Sequence, residues 1–156
     1  MKKIGRLLAV LLLAGSASAA TADIGSLANR DYVPQLGDLM NAAQVRHIKL
    51  VLAGKAQNWE LAAYELERLG QSLADAAVLY SGIPVDDITT MTKPLAAVND
   101  AIGAKDGKRF IAAASELTEK CNSCHQTMNR AFILIRLPTD QPFGDQIFQR
   151  QNPAKR

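Results

Sequence analysis

The chain of 156 residues is poor in cysteine: it has two, Cys121 and Cys124. That excludes a disulfide framework, and a bridge between residues one helical turn apart would staple almost nothing. With only two histidines besides, His47 and His125, a structural zinc site would need all four residues. His125 adjoins Cys124, which is a poor spacing for a tetrahedron. A strand pattern is also missing, and with it the βαβ setting of a thioredoxin-like redox pair. There is no Gly-rich phosphate loop, no nucleophile–base pair and no acidic cluster for a hard metal, so no enzyme is expected. Beyond the N-terminal segment no apolar run is long enough to cross a bilayer. No internal repeat and no low-complexity segment is found.

An excess of charge is missing too, once the N-terminus is set apart. Met1-Lys2-Lys3-Ile4-Gly5-Arg6 is a positive stretch, residues 7–14 are apolar, and Ala17-Ser18-Ala19 is a small-residue cleavage site. Residues 1–19 therefore read as a secretory signal peptide, with Ala20-Thr21-Ala22 as a second cleavage choice. No cysteine follows to carry a lipid anchor. The formal charge of +3 resides in Lys2, Lys3 and Arg6; the remainder is balanced between basic and acidic side chains. Neither nucleic acid nor an anionic membrane is expected as partner. The expectation is an exported, soluble, periplasmic chain of roughly 135 residues, one domain with one core.

What is present is Cys121-Asn122-Ser123-Cys124-His125. C-x-x-C-H is the attachment sequence of a c-type haem. The spacing puts both thiols on one helix face, where they can add to the two haem vinyl groups. His125 follows directly and offers an imidazole nitrogen to the iron. The prosthetic group expected is one covalent haem c. A thiol–disulfide protein is the alternative if no haem is attached.

The rest of the chain reads as four amphipathic helices. The first spans about 34–53, with Pro34 in the first turn and Gly54 as its stop. Leu36, Leu39, Met40, Ala43, Val45, Ile48 and Leu52 form its apolar stripe. The second follows Asn58 as N-cap and runs to Tyr80, with Tyr64 and Tyr80 inward and Trp59 as a packing anchor at its start. A loop through Asp87 to Thr90 leads to a third helix over 92–104, and Asp106 caps a fourth that ends near Ala131. The fold class expected is all-α: an antiparallel up-and-down four-helix bundle over 20–137, followed by a C-terminal extension over 138–156.

A bundle whose last helix carries C-x-x-C-H near its end resembles the cytochrome c-prime and cytochrome c-556 type of four-helix monohaem proteins. The resemblance covers about 35–128 and rests on Cys121-Asn122-Ser123-Cys124-His125 and on Met40 early in the first helix. Segments 44–50 and 58–64 are also similar to those of a subgroup of exported monohaem cytochromes. The resemblance implies thioether attachment outside the cytoplasm. It further implies either one-electron transfer with partner proteins in the periplasm or membrane, or a five-coordinate haem that binds a diatomic gas. The chain departs from that type after the motif, where 131–156 adds an apolar and then polar tail. The tail is expected to pack back on its own bundle; a lengthened last helix, a haem cover and a homodimer contact are the alternatives.

The sixth iron ligand separates the two functions. Met40 and His47 are the candidates. Met40 lies about six residues from the start of the first helix and His125 about six from the expected end of the fourth, so both sit roughly 9 Å from the same end of the bundle. That matches Met40 to His125 as the expected pair. A fourth helix running on to Arg136 would favour His47 instead. Arg46, Arg130 and Arg136 are candidate partners of the haem propionates, since guanidinium pairs well with carboxylate.

Overall fold

The computed structural model describes residues 32–151. The expected signal peptide and the last five residues lie outside them. Among the described residues are four helices and no strand: α1 (Leu36–Lys55), α2 (Trp59–Leu79), α3 (Val85–Gly103) and α4 (Gly107–Thr127). Short links make successive helices antiparallel. α1 packs chiefly on α2 and α3 on α4, with α2 against α3, and a sparser α1–α4 seam closes the four-helix bundle. Leu50, Val51, Val98, Phe110 and Leu117 are the large apolar side chains at its centre. No helix of the described residues is long and apolar enough to cross a membrane.

The links show why the bundle is so tightly turned. Gln57, Lys105 and Asn129 all adopt left-handed backbone, at φ 56°, 55° and 55°. Each follows the last cap of its helix in a Schellman arrangement. The amide of Asn58 reaches back to the Ala53 carbonyl (2.9 Å), that of Asp106 to Ala101 (3.1 Å) and that of Arg130 to His125 (2.6 Å). Asn58 and Asp106 then act at once as N-caps, their side chains accepting from the amides of Leu61 and Arg109. One residue thus closes a helix and opens the next.

Several boundaries differ from the sequence reading. α1 starts after Pro34, because Asp38 turns its carboxylate back onto the Gln35 amide and sets the entry there. Gly54 is not a stop. It lies inside α1, where a Cβ would come within 2.1 Å of the Phe110 ring. The buried face of α1 runs through Leu39, Ala43, His47, Leu50 and Val51, so Val45, Ile48 and Leu52 lie beside the stripe and not at its middle. Segment 87–90 is helix, not loop. Pro84 supplies a fixed φ of −60° before the first turn, and Asp86 and Asp87 occupy the favourable end of the helix dipole. Thr89 and Thr90 turn their hydroxyls onto the carbonyls of Asp86 and Asp87. Tyr64 faces outward, 51% exposed, beneath the Arg46 guanidinium. Trp59 meets Phe110 edge-on at the far end from the cysteines, as a packing anchor should.

α4 stops at Thr127, short of Ala131 and well short of Arg136. The β-branched Ile133 and Ile135 ahead of Pro138 disfavour its continuation. The tail instead folds back along the bundle. Leu137, Phe143 and the buried Phe148 pack against the core. Lys55 donates to the Pro138 carbonyl and Asn58 to that of Phe148, so the tail runs from the end of α4 to the start of α2.

Candidate functional site

The last two turns of α4 carry Cys121, Cys124 and His125, all half-buried. Both thiols are unpaired. Burial pushes the Cys121 thiol up to about 11, with the neighbouring Cys124 adding to the effect. Cys124 is raised as well, first by burial and then by the charge of Asp87 on α3. Catalytic redox cysteines show the opposite shift, towards thiolate.

His125 is oriented from behind. Its Nδ1 lies 2.9 Å from the Ile133 carbonyl. A carbonyl only accepts, so Nδ1 carries the hydrogen and the neutral ring keeps its lone pair on Nε2. Hydrogen bonding of this kind at the far nitrogen is how metal-binding histidines are fixed in tautomer and direction.

The facing helix is placed by two contacts. Gly54 of α1 meets Phe110 of α4, and His47 of α1 meets Thr118 of α4. The register is therefore antiparallel. Met40 lies seven residues from His47 towards the start of α1, and His125 seven from Thr118 towards the end of α4. Seven residues are nearly two turns, about 10 Å along the axis on the same face. The register thus places Met40, half-buried, at the level of His125 along the bundle axis.

His47 occupies another position. It is 3% exposed and sits 2.8 Å through Nε2 from the Thr118 hydroxyl. That hydroxyl gives its one hydrogen to the Ala114 carbonyl, so His47 must donate through Nε2. Nδ1 is left as the acceptor, buried and without a partner among the described residues. Burial lowers the pKa of His47 to about 4. A base that is neutral when folded and titrates near 6.5 when unfolded stabilises the fold fully above pH 6.5. That contribution is lost as pH falls from 6.5 towards 4. His47→Gln, which keeps an amide donor for Thr118, should flatten this acid arm. The check is the urea midpoint measured between pH 7 and 5, above the range where most carboxylates titrate; equal slopes for both proteins would contradict the assignment.

The arginines separate. Arg46 pairs with the buried Glu65 at 3.1 Å. Arg130 turns back onto the carbonyls of Met128 and Asn129. Arg136 makes no ion pair among the described residues. It borders a cavity of about 280 Å³ between α1 and the tail, together with Gln44, His47 and Ile48.

Three partners escaped the sequence reading: Thr118, the Ile133 carbonyl, and Asn122, whose side-chain amide pairs with the backbone of Ile135. The Thr118 hydroxyl is an ordinary residue on the inner stripe, 71 positions from His47. Asn122 stands at a variable position of the motif, and a backbone carbonyl leaves no mark in a sequence. No protein-family model, curated protein or solved structure matches this chain.

Proposed function

We propose that the chain is an exported monohaem c-type cytochrome, a one-electron carrier serving redox partner proteins in the periplasm or membrane. The observation that carries this reading is His125: within C-x-x-C-H, with Nδ1 held by the Ile133 carbonyl, its Nε2 lone pair is left for a metal. The donor set fits a haem. Cys121 and Cys124 offer two thiols on one helix face, His125 an imidazole beside them, and Met40 a thioether on the facing helix at the same level. When bound, the haem supplies the ferric–ferrous couple, with His/Met ligation raising its potential.

The chain's own residues do the rest. Cys121 and Cys124 would tether the haem and His125 and Met40 would ligate it, while Leu117 belongs to the apolar core of the bundle. His47 stays neutral and engaged with Thr118 about 10 Å further along α1, which favours Met40 over His47 as sixth ligand. Arg136, unpaired beside the α1–tail cavity, is the arginine left for a propionate.

The gas-binding reading requires the sixth position to be vacant, and the level placement of Met40 speaks against it. Spectra of the protein matured in a periplasm, oxidised and reduced, with and without carbon monoxide, separate the two. A low-spin spectrum and slow or absent carbon monoxide binding is the result expected. Rapid binding by a high-spin ferrous protein would transfer the chain to the gas-binding class.

A further inference from the structure

We propose that Asn122, the first variable residue of the motif, is a positioning residue for the iron-binding imidazole, acting through the tail; the proposal rests on the haem reading above. Its side-chain amide holds both polar groups of one backbone unit. Nδ2 donates to the Ile135 carbonyl at 2.9 Å, and Oδ1 accepts from the Ile135 amide at 2.8 Å. Such a pair fixes the direction and the register of the tail at that residue, as a rung of a sheet would. Two residues earlier stands Ile133, whose carbonyl accepts from His125 Nδ1. Asn122 and His125 are three positions apart on α4 and so neighbours on its surface.

Little else holds this stretch. Phe132 and Leu134 are 80% and 77% exposed, so burial does not anchor it. The turn from α4 is closed at its near end by the Arg130 amide on the His125 carbonyl and by the Ile133 amide on the Arg130 carbonyl. Beyond Ile133 the first attachment is the Asn122 clamp. Without it the Ile133 carbonyl is free to swing away from the imidazole. The bond from Nδ1 makes the ring a stronger donor at Nε2, which favours ferric over ferrous iron. Loss of the clamp therefore raises the midpoint potential.

The test compares the mature holoprotein with three single variants and one double variant by spectroelectrochemical titration, after covalent haem has been confirmed by mass. Asn122→Ala removes the clamp from the helix side. Ile135→Pro removes the amide that Asn122 accepts from, without touching the motif. Lys55→Ala loosens the tail further along, at Pro138, and is the control for tail docking alone. Asn122→Ala and Ile135→Pro should both move the midpoint upward, and the double variant no further. A tenfold loss of ferric preference is a shift of about 59 mV for a one-electron couple. Lys55→Ala should stay at the wild-type value. If Asn122→Ala fails to acquire haem, Ile135→Pro decides. Midpoints of the clamp variants equal to that of Lys55→Ala would overturn the proposal while leaving the haem reading intact. A wild-type chain without covalent haem would remove the haem reading itself.

Discussion

Met40→Ala is expected to strip the oxidised protein of its sulfur–iron charge-transfer band at the red end of the spectrum and to let the reduced protein bind carbon monoxide. Gly54 against Phe110 and His47 against Thr118 set the antiparallel register, and Met40 continues it to the level of His125. On the proposed reading a thioether there would be a soft ligand favouring ferrous iron, so its removal should lower the potential, on the order of 0.1 V within the roughly 0.8 V that axial ligation spans. His47→Ala leaves the band in place, because that ring is bound to Thr118 two turns away. The reverse pattern, with Met40→Ala silent and His47→Ala opening the iron, would mean bis-histidine ligation and a different α1–α4 register when haem is bound.

Gly54→Ala should destabilise the protein by about 3 kcal/mol, although alanine is the better helix former by about 1 kcal/mol. The added Cβ would lie 2.1, 2.3 and 2.6 Å from three atoms of the Phe110 ring. Phe110 is fully buried and braced by Trp59, so the ring has nowhere to go without disturbing the α1–α4 contact. For a domain of this size the expected fall in Tm is about 10 °C. Phe110→Leu in the same chain should recover part of the loss, since it shortens the group that clashes. A Tm equal to or above wild type for Gly54→Ala would show that helix propensity outweighs the contact, and the close approach of α1 to α4 would be wrong.

The fold was legible where periodicity and capping chemistry spoke together. Asn58 and Asp106 announced the starts of α2 and α4, and the apolar spacing announced four helices. Segment 87–90 reads as a loop because Asp87, Thr89 and Thr90 are common there, whereas Asp86 and Asp87 suit the start of a helix and the two threonine hydroxyls turn back onto its carbonyls. Gly54 was misread for a related reason. A glycine near a helix end has two uses, and only the facing ring of Phe110 tells a close approach from a stop. The polar imidazole of His47 hid that it belongs to the buried stripe, since its partner lies on another helix.

Of the candidate site, the donor residues were legible and what supports them was not. Cys121, Cys124 and His125 stand close together in the chain, and five residues suffice to propose their chemistry. The pairing of Met40 with His125 is an expectation from helix lengths alone, and α4 ends earlier than that expectation assumed. What holds His125 is a carbonyl eight residues on, kept there by Asn122. Backbone groups brought together by a returning tail have no sequence signature. Arg46 shows the converse: a guanidinium free to meet a propionate in one dimension is committed to Glu65 in three.

The central claim is the covalent attachment of one haem through Cys121 and Cys124, and intact mass spectrometry of protein matured in a periplasm tests it most directly. The expected result is a chain beginning near Ala20 with the mass of one haem added, unchanged by acid-acetone extraction. Cys121→Ala and Cys124→Ala should each weaken or abolish that adduct. A mass equal to the bare polypeptide, or to the polypeptide less two hydrogens for a disulfide, would contradict the account and leave the thiol–disulfide reading in its place.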